Sequence, residues 1–379
     1  MKNKILGLPK AAVIVIGIVI TALFLVLMNL VGGVVAHLTS ITDSYTLQLI
    51  AEIGVAIYAI GMLFLMGYQQ SLKKTGVGFL RGFYIGGFMV GYCVYVAVAQ
   101  LFLQSVSGSD VVRPAGGIMI YILTMFLVGM NEEVIMRGIV LNLFADRFSN
   151  TRRGVLAAII LSSVIFGAAH IPNVLSGVPL SSALIQALQA TLLGVLFAAI
   201  YLRSGNLWIC IIIHALVDFG GLMASGIFGN GDMTDMIGSL SVLNLVVTVP
   251  LFLVPCIVLL RRSKLDEIVE MREGETIAES GYGISEVAGT YYVIDQGTSI
   301  SARIAQPVKL VLMENGNVYG ENLEGTWSME NGTCYMTLTY GGKEYNGVFC
   351  QMKDEAGTDV MTFSAVGANE SVWGVKYFE

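Results

Sequence analysis

The sequence predicts a polytopic all-α membrane bundle of about eight transmembrane helices, followed by a small all-β soluble domain that forms a barrel or a sandwich. Of the 379 residues, 55% are apolar and 13% are charged, whereas about a quarter of residues are charged in ordinary soluble domains. Apolar stretches of roughly 20 residues, the length that crosses about 30 Å of hydrocarbon, recur before residue 260. A strand-like pattern replaces them after Arg262 and predicts the second domain.

The apolar stretches predict eight membrane spans, near residues 11–36, 47–68, 80–104, 117–144, 154–173, 182–202, 206–228 and 240–260. The first is longer than the apolar region of a cleavable signal peptide, so we expect it to be retained. Basic residues cluster before the first span, in every second connection and after the last span, at Lys2, Lys4, Lys10, Lys73, Lys74, Arg81, Arg147, Arg152, Arg153, Arg203, Arg261, Arg262 and Lys264. By the positive-inside rule, both termini are expected in the cytoplasm.

The pattern beyond the last span divides the rest of the chain into two parts. Residues 1–262 form the predicted transmembrane core, residues 263–280 an acidic polar linker or short surface helix, and residues 281–379 the β domain. Stretches rich in aromatic and β-branched residues, such as "VKLVLM" and "VMTFSAV", alternate with glycine and asparagine turns, as in antiparallel hairpins. Core positions are predicted for Trp327, Phe349, Phe363 and Trp373, and free thiols for Cys334 and Cys350.

The stretch "NEEVIMR", residues 131–137, places ionisable groups in the middle of the fourth predicted span. A charge at that depth costs several kcal/mol unless it is paired or faces a polar cavity. Glu133 and Arg137 are one helical turn apart and are expected to pair. Glu132, about 100° round the helix, then needs a partner from another span.

Histidines in two later spans supply such partners. The chain has three histidines, of which His37 is expected at the membrane interface. His170 ends "FGAAH" in the fifth predicted span, and His214 begins "HALVD", where Asp218 shares its helical face. Two histidines, three carboxylates and an arginine at membrane depth predict a common polar cavity with a function.

The three motifs together resemble a known family. "EEVIMR" fits EExxxR, "FGAAH" fits FxxxH and "HALVD" fits HxxxN/D, in the order found in the CAAX protease and bacteriocin-processing family of intramembrane proteases, whose eukaryotic members cleave the last three residues from prenylated CAAX proteins. The resemblance covers about residues 80–260. One position departs from the prenyl-protein enzymes, which often have asparagine where this chain has Asp218; aspartate occurs in the bacterial branch.

The resemblance implies an intramembrane endopeptidase. Glu132 would activate a water together with His170, and His214, oriented by Asp218, would donate to the oxyanion, with Glu133 and Arg137 in support. The family was long described as metalloproteases, and Glu132, His170 and His214 would be the ligands of a zinc ion if one is present. HExxH is absent and a glutamate-activated water needs no metal, so no cofactor is required.

The expected substrate is a membrane-embedded or lipidated peptide or protein in the lipid bilayer of a bacterial plasma membrane, and no nucleic-acid partner is expected. Prenylated proteins, bacteriocin leaders and pheromone precursors remain open as substrates. Two other functions also remain open: a scaffold or bacteriocin-immunity protein with little turnover, and a proton-coupled carrier, since buried glutamates and histidines also build proton relays. Inverted repeats would favour the carrier, and the two halves show no convincing similarity.

The β domain is similar to the lipocalin-like β domain that follows the catalytic part of some arabinan-degrading glycoside hydrolases. The similarity rests on "GTW", "KEYNGVF", "VMTFSAVG" and "SVWG" and covers about 80 residues without a catalytic motif. It implies a binding or regulatory domain, whose partner the sequence does not identify.

Overall fold

The structure, a computed structural model, describes residues 2–107, 111–148, 151–279, 284–296, 307–330, 333–367 and 370–377. It divides into two compact units, Met1–Met271 and Arg272–Glu379. The first unit is helical and the second is an antiparallel β-barrel. The predicted combination of an all-α bundle and an all-β domain is therefore confirmed. Residue 281, where the β domain is predicted to begin, lies outside the described residues.

The helices of the first unit are, in chain order, α1 (Lys2–Leu6), α2 (Lys10–Leu38), α3 (Ser44–Leu65), α4 (Gln70–Lys73), α5 (Phe79–Ser107), α6 (Ala115–Glu133), α7 (Asn142–Arg147), α8 (Arg152–Ala168), α9 (Leu180–Ser204), α10 (Leu207–Gly221), α11 (Met223–Gly226), α12 (Met233–Gly238), α13 (Val242–Leu259) and α14 (Arg262–Glu279). A π-helical segment, Val134–Leu141, joins α6 to α7, and a 3-10 helix, Ile171–Ser176, follows α8. Most of α14, predicted as a polar linker or surface helix, belongs to the first unit.

Within the described residues, seven helices are long and apolar enough to cross a membrane, so the chain is an integral membrane protein with one such helix fewer than predicted. The difference lies at predicted span 206–228, where α10 has 15 residues and ends at Gly221. Its length of about 22 Å falls short of the hydrocarbon thickness. A pair of glycines, Gly220 and Gly221, favours the end of the helix there. Eight spans would place both termini on one side of the membrane, so with seven candidate helices the cytoplasmic placement of both termini stays a prediction.

Two glycines let helices approach closely around the centre of the first unit. A Cβ atom on Gly129 of α6 would lie 2.9 Å from the backbone nitrogen of Ala215 and 3.0 Å from the carbonyl oxygen of Ile211, both on α10. On α8, a Cβ on Gly167 would collide with the side chain of Thr191 on α9. Small residues at such crossings allow the backbones of membrane helices to come together. The two contacts fix α6 against α10 and α8 against α9.

The beginning of α14 is docked on the first unit through ion pairs. Arg152, at the start of α8, binds Asp266 through two nitrogens, and the Nη2–Oδ2 distance is 2.7 Å. This hydrogen bond lowers the pKa of Asp266 below its ordinary value. Glu267 contacts Arg81 of α5, and its Oε2 lies 3.4 Å from Nη2 of Arg203 at the end of α9. Three helices of the first unit therefore hold this part of α14.

The second unit is a closed barrel in which each strand pairs with its chain neighbours and the last strand pairs with the first. A short helix, α15 (Ile284–Val287), precedes it. The strands are β1 (Gly289–Gln296), β2 (Val308–Leu312), β3 (Asn317–Gly320), β4 (Leu323–Glu330), β5 (Thr333–Tyr340), β6 (Lys343–Lys353), β7 (Asp359–Gly367) and β8 (Glu370–Lys376). Gly341 and Gly342, between β5 and β6, both have positive φ, 59° and 75°, as a two-residue hairpin turn requires. One of the predicted glycine and asparagine turns, "ENGT", includes residues 331 and 332, which lie outside the described residues.

The barrel interior is a core of aliphatic and aromatic side chains. Phe349 and Phe363 pack at a ring-centroid distance of 5.6 Å, and Trp327 lies beside Phe349. These three predicted core positions are confirmed, each at most 6% exposed. The prediction for Trp373 is wrong, because its neighbours Val372 and Gly374 face the interior and Trp373 is only half-buried. Gly374 leaves room for the ring of Phe363.

Candidate active site in the helical unit

The π-helical segment begins directly after the glutamate pair of α6. All eight of its residues are buried, and π-helical segments often occur at functional sites. Glu133 is fully buried, whereas Glu132, on the adjacent face, has 20% of its side chain exposed. The two neighbouring carboxylates therefore lie in different environments.

Glu133 and Arg137 form the ion pair that their spacing predicts. The distance from Oε1 of Glu133 to Nη1 of Arg137 is 2.7 Å, with both side chains buried. Nη2 of Arg137 also lies 3.3 Å from the carbonyl oxygen of Gly194 on α9. The guanidinium group lies over the rings of Phe166 and Phe197, 4.6 Å and 5.2 Å from their centroids. Arg137 thus links α6, α8 and α9 and compensates the charge of Glu133.

His214 of α10 is held by Glu133. Its Nδ1 atom lies 2.8 Å from Oε1 of Glu133, and because a carboxylate accepts, Nδ1 donates. The close approach at Gly129 brings these two helices together. On the other side of the ring, Nε2 lies 3.6 Å from Oε2 of Glu132 and 3.5 Å from Oδ2 of Asp218. The orienting bond that the sequence predicts for Asp218 is therefore made by Glu133 in the structure.

His170 follows α8 and is oriented by the backbone. Its Nδ1 atom lies 3.0 Å from the carbonyl oxygen of Phe166 and donates to it, since a carbonyl oxygen accepts. In the neutral ring, Nε2 then carries the lone pair and is the atom available to accept a proton. The ring of Phe166 packs edge-on against His170 at 5.1 Å between centroids.

Four of the predicted site residues line one cavity of about 480 Å³ in the first unit. Glu132, His170, His214 and Asp218 contribute to its wall from α6, the end of α8 and α10. Oε2 of Glu132 is buried and has no hydrogen-bond partner among the described residues. The rest of the wall includes methionines and side-chain amides, among them Met28, Met136, Gln186 and Gln189. Glu133 and Arg137 lie behind this wall and support it.

The side-chain positions do not fit the zinc site that Glu132, His170 and His214 would form. Across the described parts of the chain, no group of three or more histidine, cysteine, aspartate and glutamate side chains is placed to hold a metal ion. The mechanism proposed for this site therefore uses side chains alone.

Two buried polar residues beside the site, Glu52 and Asn131, are absent from the candidates that the motifs predict. Glu52 is 1% exposed and Asn131 is fully buried, and they are hydrogen bonded to each other. The signal for Glu52 is its position as the single charged residue of "SYTLQLIAEIGVAIYAIGMLFL", since an ionisable group inside an apolar span indicates a function. Asn131 stands next to the glutamate pair in the sequence.

Comparison with protein families supports the motif-based resemblance. Residues 114–220 match the family model described as type II CAAX prenyl endopeptidase Rce1-like. That range contains Glu132, His170, His214 and Asp218. The family match supports an intramembrane protease.

The second unit has relatives of a different kind. Residues 270–374 match a family model described as a C-terminal lipocalin-like domain, which confirms the resemblance of the β domain. The extracellular endo-alpha-(1->5)-L-arabinanase 2 of Bacillus subtilis (strain 168) is 39% identical over 105 residues. The match covers 27% of this chain and 22% of the arabinanase, so the chain spans less than a quarter of that relative.

Solved structures show the same partial similarity. The family 43 glycoside hydrolase YxiA of Bacillus licheniformis is 33% identical, with 26% of this chain and 22% of that chain covered and a TM-score of 0.24. An endo-1,5-alpha-L-arabinanase of Thermotoga petrophila RKU-1 is 26% identical over 26% of this chain and 22% of that chain, with a TM-score of 0.24.

Proposed function

We propose that this protein is an intramembrane endopeptidase that hydrolyses a peptide bond of a membrane-embedded or lipidated substrate without requiring a metal. The observation that carries the proposal is the convergence of Glu132, His170, His214 and Asp218 on one cavity. These residues come from three separate segments of the chain and belong to the three motifs of the matched family. A stabilising ion pair would need two of them, whereas a hydrolytic site needs a base, an acid and an oxyanion donor.

In the proposed mechanism, Glu132 acts as the general base. Its side chain lines the cavity, and its Oε2 has no hydrogen-bond partner among the described residues. The carboxylate removes a proton from a water, and Nε2 of His170 accepts a second hydrogen bond from the same water. The water oxygen attacks the carbonyl carbon of the substrate and forms a tetrahedral oxyanion. The proton on Glu132 then passes to the amide nitrogen, the carbon–nitrogen bond breaks, and a carboxylic acid and an amine are released.

His214 would stabilise the oxyanion. With Nδ1 donating to Glu133, a protonated ring presents its Nε2–H group towards Glu132, Asp218 and the cavity. The carboxylates of Glu132, Glu133 and Asp218 surround the ring and compensate a positive charge on it. The ion pair with Arg137 keeps Glu133 in place, so the donor is fixed before the substrate arrives.

The cavity wall agrees with a peptide substrate that carries apolar groups. Methionine side chains such as Met28 and Met136 are flexible and accommodate apolar groups of different shapes. The side-chain amides of Gln186 and Gln189 offer hydrogen bonds to a peptide backbone inside the membrane. Prenylated proteins, bacteriocin leaders and pheromone precursors remain open as substrates.

The proposal is tested by comparing peptide termini in membranes of cells that produce the wild type or Glu132→Gln. The substitution preserves the volume of the side chain and removes the base, so turnover should fall by a factor on the order of 10² or more. Termini that appear with the wild type and disappear with Glu132→Gln are the expected result. Identical termini in the two samples, with both proteins folded in the membrane, would contradict the proposal and favour a scaffold or immunity protein.

A further inference from the structure

Glu52 lies inside α3, where a charge is expensive. It is the single charged residue of that helix, and its side chain is 1% exposed. Burial of an ionised carboxylate costs several kcal/mol unless hydrogen bonds or a positive charge compensate it. The proposed hydrolytic mechanism gives Glu52 no role, so its presence needs a separate explanation.

Both carboxylate oxygens of Glu52 accept hydrogen bonds from side-chain amides. Nε2 of Gln48, one turn earlier in α3, lies 2.7 Å from Oε1. Nδ2 of Asn131 in α6 lies 2.8 Å from Oε2 and 2.9 Å from the backbone oxygen of Glu52. The two protons of the Asn131 amide are thus both donated to one residue, which fixes the orientation of the amide group.

Asn131 is the residue before Glu132, in the last turn of α6. Its backbone oxygen accepts from the N–H group of Val134, the first residue of the π-helical segment. A hydrogen bond that fixes Asn131 therefore also fixes the rotation of the turn that directs Glu132 into the cavity. Gln48, the other donor to Glu52, lines that cavity as well.

We propose that Glu52 is a positioning residue for Glu132, acting through the amide of Asn131. This inference rests on the proposed function, because it gives Glu52 a part in aligning the base of that reaction. The carboxylate suits the task because it accepts from two amide donors at once, which a hydroxyl or an amide side chain does less well. Through its bonds with Gln48 and Asn131, Glu52 connects α3 and the cavity wall to the turn that carries Glu132.

Thr124 provides a matched control for a purely structural role. It lies in α6, is fully buried, and its hydroxyl lies 3.2 Å from the backbone oxygen of Tyr45 in α3. Like Glu52, it joins α3 to α6 by a buried hydrogen bond. It lies about two turns before Glu132 and does not contact Asn131 by any hydrogen bond described here. Thr124→Val removes the hydroxyl and keeps the shape of the side chain.

The first experiment measures the site without using a substrate. Protein labelled with ¹⁵N in the imidazole rings is placed in lipid nanodiscs, and the signals of its three histidines are assigned by replacing each histidine in turn. Glu52→Gln should shift the ring nitrogens of His214, because Glu132 Oε2 lies 3.6 Å from Nε2 of that ring. The exposed His37 should not change, and Thr124→Val should leave His214 unchanged.

The second experiment uses a quenched fluorescent peptide that contains a cleavage site found from the peptide termini. Glu52→Gln should lower kcat by about 10- to 100-fold and leave KM unchanged, as expected for lost positioning of a catalytic group. The double variant with Asn131→Ala should be no slower than Asn131→Ala alone, since both changes interrupt one contact. Thr124→Val should retain the wild-type kcat.

The two experiments separate the inference from the proposed function. If the wild type cleaves no peptide, the proposed function fails, and the His214 signals still show whether Glu52 controls the geometry of the site. Unchanged His214 signals in Glu52→Gln, or equal losses of kcat in Glu52→Gln and Thr124→Val, would overturn the inference. If Glu52→Gln does not fold, Asn131→Ala removes the amide through which Glu52 acts, and His214 signals unchanged in that variant would overturn the inference equally.

Discussion

Two carboxylates compete for the role of orienting His214, and the structure distinguishes them. Glu133 approaches Nδ1 at 2.8 Å and is itself fixed by Arg137. Asp218 lies 3.5 Å from Nε2 and borders the cavity, where it contacts the side of the ring that would face the substrate. Orientation of the imidazole therefore depends on the buried Glu133, and Asp218 is more tolerant of replacement.

This division predicts different costs for two isosteric amide substitutions. Glu133→Gln removes the negative charge that pairs with Arg137 and compensates a protonated His214, so kcat should fall by about 10- to 100-fold. Asp218→Asn keeps an acceptor near Nε2 and should cost less than about tenfold. The measurement is kcat and KM with the same fluorescent peptide, with unfolding temperatures as a control for folding. A larger loss for Asp218→Asn than for Glu133→Gln would contradict the assignment.

At this scale, sequence spacing predicts contacts within one helix better than contacts between helices. The Glu133–Arg137 pair follows from its separation of four residues and is present. His214 and Asp218 have the same separation, and Oδ2 of Asp218 lies near Nε2 of the ring. The packing of α10 on α6, however, places Nδ1 of His214 against Glu133. Glu52 reaches the site only through tertiary packing of α3 on α6, which no local pattern encodes.

Among the elements, the crossing of α6 and α10 decides whether the site is assembled. Gly129 allows the two backbones to touch, and the same crossing places His214 beside Glu133. The π-helical segment that follows α6 then passes through the core with every residue buried. Any side chain larger than that of glycine at position 129 must push α10 away.

Gly129→Ala should therefore lower both stability and activity. The added Cβ would meet two backbone atoms of α10 at about 3 Å, which costs about 1–3 kcal/mol by comparison with overpacked cores. Gly61→Ala is the control, because a Cβ there has nothing within 4 Å and alanine favours the helix. Unfolding temperature and peptide cleavage are the measurements. A fully active and stable Gly129→Ala would show that the crossing is looser than described.

The elements were predicted unequally well from the sequence. Long apolar runs predict the seven long helices, whereas α10 is apolar but too short, because it ends at two adjacent glycines. Strand β3 has four residues and contains no long run of β-branched residues, so the pattern does not predict it. The prediction that Trp373 faces the barrel interior is wrong because Val372 is also apolar, and Gly374 has no side chain to indicate which residues of β8 point inward.

The molecule as a whole combines an integral membrane unit with a β-barrel unit, and the side of the membrane on which the barrel lies is a prediction. Cys350 provides a probe, because it is exposed while the other four cysteines are buried. A membrane-impermeant maleimide should label it only after the cells are opened, as a cytoplasmic C-terminus requires. Cys350→Ser should abolish this labelling. Labelling of Cys350 in intact cells would place the barrel outside and contradict the prediction.

The docking of α14 has a consequence for the order of events during synthesis. Arg81, Arg152 and Arg203 are separated from their acidic partners by 186, 114 and 64 residues. At a translation rate of roughly 5–20 residues per second, Arg81 leaves the ribosome about 10–40 s before Glu267 does. During that interval the arginines carry uncompensated charge, which is the condition under which basic residues direct the insertion of neighbouring helices. We therefore expect the same side chains to act first as insertion signals and afterwards, when the last apolar helix is complete, as the binding site for α14.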